Sequence, residues 1–398
     1  MNRLPRHREE SSSGGQFPPE EALGALRRET AIRAIESVIL DVPTLRRHKL
    51  SNSEIVHQSF VHVAVTFDNG VVGHGEAATL GGPRWAEESV EAIKANIDAY
   101  LAPALLGQPG CDTAAAGLRM EKAARRNFAA KAALDMALHD ALGITMGVPV
   151  AMLLGGVQRT SFPSVWALAS GDADAEVAEA RAKIAAREFA RFKVKIGFDT
   201  PARDIARLQR LRSALPEAMI IADLNQAWSE ATCIRWFPAF AEIGIALVEQ
   251  PLPAVQMEGM RRLAARSTMP LMLDEGVFTD TEALASGGSA GQVLSLKLVK
   301  SGGLDAMRRV GGIATGLGME LYGGCLLESS LGAAAHLAAF ATLPALHWGT
   351  EQFAPRILVR DTVLEPLRYA DFEVHLPTGP GLGVRPDPEA RAAFARKA

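Results

Sequence analysis

Cysteine is scarce in this chain: three residues, Cys111, Cys233 and Cys325, far apart and odd in number. That excludes a disulfide framework and any cysteine-rich zinc spacing, and it suits a reducing cytoplasm. Long apolar runs are also missing. A membrane helix needs about 18 uninterrupted apolar residues, and the richest stretch, Leu331 to Leu346, is broken by His336 and Pro344. Nor is there an excess of one charge. With 42 basic and 45 acidic residues the net charge is −3, so neither a nucleic acid nor a membrane partner is expected. The first residues carry Arg, Glu, Ser and Gly but no apolar core, which excludes a secretory signal and predicts a disordered tail over residues 1–30. What remains is ordinary for a globular protein: 48% hydrophobic and 22% charged.

From Ala31 to Ala77 apolar residues alternate with others. Val38, Leu40 and Val42 form one such set, and Val61, Val63, Val65 and Phe67 another. Asp68-Asn69-Gly70 is a turn signal, so an antiparallel meander is expected. Helical periodicity follows over Glu87–Leu101 and Leu118–Leu142, ending at Gly143, Gly147 and Pro149. After Thr160 the texture changes to short apolar runs separated by Ala-, Arg- and Glu-rich helical stretches. The runs are Phe162–Leu168, Phe192–Ile196, Met219–Ala222, Ile245–Val248, Pro270–Leu273, Val293–Val299 and Met319–Tyr322. Runs of this kind are strands buried on both faces, and the alternation is that of repeated βα units. Seven or eight in succession favour a closed α/β barrel. The expected organisation is a tail over 1–30, an α+β domain over 31–156, a barrel over 157–351 and a segment over 352–398 that returns to the first domain.

Charged residues recur at the ends of these strands. They are Lys193 and Lys195, then Asp223 with Asn225, then Glu249, Asp274 and Lys297. From Lys195 the steps are 28, 26, 25 and 23 residues, each one βα unit. In a barrel such positions converge on the C-terminal mouth, where active sites lie. Alone, each has a plainer reading: an Asp at a strand end caps a helix, and a lysine lies along the surface. Five in register on buried strands are hard to explain that way, because buried charge must be paired or bind metal. Three carboxylates, Asp223, Glu249 and Asp274, suit Mg²⁺ or Mn²⁺. Lysines beside them suit proton transfer next to a carboxylate, with Lys193 and the cation depressing the pKa of Lys195.

These residues resemble the enolase superfamily in its muconate-lactonizing-enzyme subgroup. Ala129 through Asp140, then Gly147-Val148-Pro149-Val150 and Leu154-Gly155-Gly156, resemble that family's linker helix and its exit. Lys297 through Gly303 resembles its sixth-strand motif. Asp41 through Leu50, Gly75-Glu76-Ala77, Leu321 through Ser330, His347 through Glu351 and Arg368 through Phe372 resemble muconate cycloisomerases in particular. The resemblance implies a (β/α)7β modified TIM barrel with an α+β capping domain, in a homo-oligomeric, cytoplasmic isomerase of aromatic catabolism, octameric in many relatives. It implies a small dicarboxylate substrate, cis,cis-muconate or a chloro or alkyl derivative, closing to a muconolactone through an enolate. It further implies Asp223, Glu249 and Asp274 as metal ligands, Lys195, Lys297 and Lys193 as catalytic residues, and His48, Trp85, Asn225 and Glu328 as substrate contacts.

The loops over the mouth depart from the pattern: Pro83-Arg84-Trp85 stands where a tyrosine is usual, and Ser51-Asn52-Ser53-Glu54 differs too. The same barrel also suits an N-acylamino acid racemase, a dipeptide epimerase or an o-succinylbenzoate synthase. Glu328-Ser329-Ser330 replaces the Asp-x-Asp expected of the epimerases. A catalytically inactive binding protein would not be expected to keep all five charged strand ends.

Overall fold

The computed structural model of the chain describes residues 19–51 and 53–397. Of the tail expected over 1–30, residues 1–18 lie outside the described part, and the rest is corrected. Pro19–Glu29 is a helix with Glu20 and Glu21 in its first turn and Arg27 and Arg28 in its last. That charge order complements the helix dipole. Arg27 Nε reaches Asp112 Oδ2 at 3.0 Å and ties the helix down.

The expected meander is present as β1 (Ile32–Lys49), β2 (Glu54–Phe67) and β3 (Val72–Thr79), paired antiparallel in that order. Its inner face packs on the helix Phe128–Met146. The approach is so close that a Cβ at Gly75 would stand 2.0 Å from the Ala133 carbonyl, and one at Gly73 would stand 2.2 Å from that of Ala137. Two helical expectations change. The stretch from Glu87 shortens to a helix over Val90–Asn96, which runs into a π-turn over Ile97–Leu101. The stretch over 118–142 is two helices, Thr113–Ala123 and Phe128–Met146. Between them Arg126 and Asn127 take positive φ, 53° and 48°. Asn tolerates this conformation better than most residues, and its Nδ2 donates to the Arg125 carbonyl at 2.7 Å. The new helix start is capped by Glu88, which accepts from Ala129 N at 2.9 Å.

The barrel strands are β5 (Val165–Leu168), β6 (Arg191–Lys195), β7 (Met219–Asp223), β8 (Leu247–Glu249), β9 (Leu271–Leu273), β10 (Val293–Leu296) and β11 (Glu320–Gly323). They form one parallel sheet in sequence order. Thr350 bridges both Gly323 and Ser164 in parallel and so joins the two edges. The first expected run divides: β4 (Ser161–Pro163) leaves the barrel and pairs with β13 (Glu373–His375), itself paired with β12 (Tyr369–Ala370). The C-terminal segment thus returns across the molecule; Leu40 and Ala395 form a further bridge beside β1. No helix among the described residues is long and apolar enough to cross a membrane.

Candidate active site

Strand periodicity builds the site. Side chains two residues apart on a strand share a face. Ile221, Leu247 and Met272 are fully buried and cluster with Val165, Val293 and Tyr322 inside the barrel. Two residues beyond the first three, towards the C-terminal mouth, stand Asp223, Glu249 and Asp274. Lys193 and Lys195 share a face of β6 in the same way, with Lys195 in register with Asp223 and Asp223 with Glu249. Lys297 follows directly after β10.

All these side chains are buried, so their charges must answer one another. Lys195 Nζ lies 2.5 Å from Asp223 Oδ2 and 3.3 Å from Asn225 Oδ1. Lys193 Nζ is 3.0 Å from Glu249 Oε2 and 3.3 Å from Asp223 Oδ2, and it also meets Glu351. Lys297 Nζ is 2.5 Å from Asp274 Oδ2, while Lys300 reaches Asp274 Oδ1 at 3.0 Å. Burial opposes charge on Asp274, yet Lys297 and Lys300 hold its carboxyl far below the usual range. Burial opposes Asp223 as well, and Lys195 and Lys193 lower it. Glu249 goes the other way: burial, then the charge of Asp223, push it well above the usual carboxylate range. Lys193 is raised against the cost of burial by Glu249 and Glu351.

The cluster therefore has a carboxylate pole short of positive charge. Glu249 Oε1 is buried with no partner. Among the described residues no three His, Cys, Asp or Glu groups are close enough to hold an ion together, because each carboxylate is drawn to a lysine. The donor set nevertheless fits a hard divalent cation: Asp223, Glu249 and Asp274 supply only oxygen, and the unmatched charge at Glu249 is what a cation relieves.

Of the expected substrate contacts, three face the lysines. His48 is buried and kept neutral by burial and by Arg46, Lys195 and Lys193. Asn225 bridges Lys195 to Glu275, donating to Glu275 Oε1 at 3.2 Å. The Trp85 ring centroid is 4.2 Å from Lys297 Nζ. Glu328 lies at the joint between cap and barrel, where Gly332 packs against both it and Glu76, and the charges of Lys297 and Glu351 reach it. Its Oε2 accepts from Leu326 N at 2.8 Å, and burial pushes its pKa to about 7. Sequence reasoning gave no role to Glu351, Lys300 or Glu275. The first two lie inside quoted motifs; Glu275 stands two residues past the end of β9, beside Asp274.

Two family models together match most of the chain: the mandelate racemase / muconate lactonizing enzyme N-terminal domain over residues 34–155, and the enolase C-terminal domain-like model over 175–390. The chain belongs to the mandelate racemase / muconate lactonizing enzyme family. Within that family it is 42% identical to Muconate cycloisomerase 1 of Pseudomonas putida, over 92% of this chain and 99% of that protein. It is 40% identical to chloromuconate cycloisomerase CbnB of Cupriavidus necator, over 92% and 100%. Its fold superposes on the muconate lactonizing enzyme of Pseudomonas fluorescens complexed with muconolactone with a TM-score of 0.91 at 40% identity, covering 92% and 100% of the two chains. For 2-chloromuconate cycloisomerase of Rhodococcus opacus 1CP the TM-score is 0.90 at 36% identity, covering the same shares.

Proposed function

We propose that this chain is a divalent-metal-dependent cycloisomerase that closes cis,cis-muconate, or a chloro or alkyl derivative, into a muconolactone. One observation carries the reading. An all-carboxylate pole, with Glu249 Oε1 unpartnered, stands between two lysines, Lys195 and Lys297, in a chain that is 42% identical to a muconate cycloisomerase.

Enolase-superfamily enzymes need a divalent metal; here Asp223, Glu249 and Asp274 would hold Mg²⁺ or Mn²⁺. When bound, the cation supplies neutralisation of the charge that develops on a substrate carboxylate. The protein residues do the rest. One substrate carboxylate oxygen bonds to the conjugated alkene, and the π pair moves to the carbon beside the other carboxylate. Lys195 delivers a proton to that carbon, and water returns one to Lys195. Lys297 faces it as a fixed cation and favours the negative charge while it lasts. Lys193, held by Glu249 and Glu351, adds positive charge beside Lys195. Asn225 orients Lys195, while His48 and Trp85 close the site and exclude water.

The test is direct. Protein, Mn²⁺ and cis,cis-muconate are mixed and the loss of the diene's ultraviolet absorbance is followed. Folded, metal-loaded protein that leaves the absorbance unchanged overturns the proposal. Two facing lysines also suit a 1,1-proton transfer, for which deuterium uptake from D₂O into N-acylamino acids is the corresponding test.

A further inference from the structure

The inner face of a crossover helix is normally apolar, and the helix Pro201–Ala214 departs from that. Leu208 and Leu211 are buried on it as expected, but so are Asp204 and Arg207. Arg207 Nη1 lies 3.0 Å from Glu176 Oε1, and Glu176 is itself fully buried in the first turn of the helix Ala173–Ala185. Apolar side chains of similar volume often replace such a pair with no loss of stability. The pair therefore needs a reason other than packing.

Arg207 also meets the end of β6. Its Nη2 donates to the main-chain carbonyl of Lys195 and lies 3.6 Å from Asp204 Oδ1. The ladder between β5 and β6 stops at Leu168 and Val194, one residue short of Lys195. Just beyond, Asp204 Oδ2 accepts from Gly197 N at 2.9 Å, and the Arg207 guanidinium lies 4.8 Å from the centre of the Phe198 ring. The helix thus grips the chain where it leaves the strand. The tip of Lys195 is held by Asp223 and Asn225, but Asp223 is also assigned to the cation. A four-carbon stem has many rotamers, so with that partner shared, the base of the side chain has to be fixed from elsewhere.

We propose that Arg207, anchored by Glu176, is a positioning residue: it fixes the main chain of Lys195 and so the point from which that ammonium delivers its proton. The inference rests on the cycloisomerase reading, in which Lys195 is the proton donor. Arg207 touches no reacting atom. Its planar fork serves Glu176 with one nitrogen and the Lys195 carbonyl with the other, which the single ammonium of a lysine does not reproduce. A shift of about 1 Å at a reacting group, caused from a distance, costs about 10²-fold in rate.

The experiment measures kcat, KM and the solvent deuterium isotope effect on kcat for cis,cis-muconate in the Mn²⁺-loaded enzyme. Arg207→Lys keeps a positive charge opposite Glu176 but loses the fork. It is expected to lower kcat about 10- to 100-fold with KM little changed. The isotope effect is expected to rise above that of wild type, because proton delivery becomes slower relative to the other steps. Glu176→Gln is nearly isosteric and is expected to move both readings the same way, by less. Arg210→Lys is the control: Arg210 is exposed on the same helix, pairs with Asp174 at 2.9 Å, and should change neither reading. Loss of folded protein lowers the apparent kcat but leaves the isotope effect alone, so a poorly folding variant does not mimic the result. If wild type consumes muconate, an unchanged isotope effect in both Arg207→Lys and Glu176→Gln overturns this inference alone. No turnover by wild type overturns the cycloisomerase reading and this inference with it.

Discussion

Lys195 and Asp223 meet at 2.5 Å across adjacent strands, in register. The lysine thus occupies one of the carboxylates that a cation would use. Asp274 is engaged by Lys297 in the same way on the other side, which leaves Glu249 with the free oxygen. Metal binding must therefore turn carboxylates away from lysines, and the three acids cannot substitute for one another. Asp223→Asn, Glu249→Gln and Asp274→Asn are each expected to weaken Mn²⁺ binding about 100-fold or more. Titration calorimetry on chelator-treated protein measures this. Unaltered affinity in all three variants would sink the assignment. Chelation of wild type should abolish turnover, and added Mn²⁺ should restore it.

The two lysines are expected to fail differently. Lys195→Ala removes the proposed proton donor, so kcat should fall about 10²- to 10⁴-fold, with substrate still bound. Lys297→Ala removes a cation that is stacked under Trp85, so both kcat and affinity should suffer. Steady-state kinetics decide it. Equal, small losses in the two variants would contradict the division of labour.

Much of this site could be read from the chain, for a physical reason. A carboxylate or lysine two residues beyond a buried apolar residue keeps the strand's inward face, so Ile221 announces Asp223 and Leu247 announces Glu249. Glu351 escaped because its strand is reduced to the bridge at Thr350 and has no apolar run before it. Glu328 follows a genuine strand, β11; its Oε2 accepts from Leu326 N, Gly332 packs beside it, and the charge of Lys297 reaches it. The break at Arg126 and Asn127 was invisible for a related reason. It is set by Glu88, some 40 residues earlier, which caps the next helix, and periodicity alone does not register such a partner.

The cap should be sensitive to pH from both sides. Burial holds His62 near pKa 3 and His74 near 4, against about 6.5 when unfolded. The unfolded chain binds the extra protons, so stability falls as pH drops below about 6.5, by about 2 kcal/mol at pH 5 for His62. Glu76 behaves oppositely. Burial raises it to about 8, so the folded state keeps a proton that the unfolded state releases, and stability falls as pH rises from about 4.5 through 8. Urea midpoints measured from pH 4.5 to 9 should trace a dome, and His62→Leu should flatten its acid limb. An acid limb that His62→Leu leaves unchanged would show that other groups control it.

The contact of Gly75 with the linker helix predicts a severe, local lesion. In Gly75→Ala the added Cβ would meet the Ala133 carbonyl at 2.0 Å. Backbone on both sides cannot yield as a flexible side chain would. The cost is expected to be about 3 kcal/mol, at the upper end of overpacking, seen as a lower melting temperature. Gly70→Ala, where nothing lies within 4 Å, should cost less despite its positive φ. Similar losses in the two variants would mean that backbone conformation, rather than the packing of sheet on helix, governs both.

The reaction class carries its own signature in protons. At neutral pH cis,cis-muconate is a dianion and muconolactone a monoanion, because one carboxylate becomes an ester. Each turnover must then take up one proton, delivered through Lys195 and replaced from solvent. A racemase or epimerase, which removes a proton and returns one, takes up none. In weakly buffered solution with an indicator dye, the alkaline drift should match the loss of diene absorbance mole for mole. Absorbance loss without proton uptake would mean that the diene is consumed by some other reaction, in which Lys195 does not supply the new C–H bond.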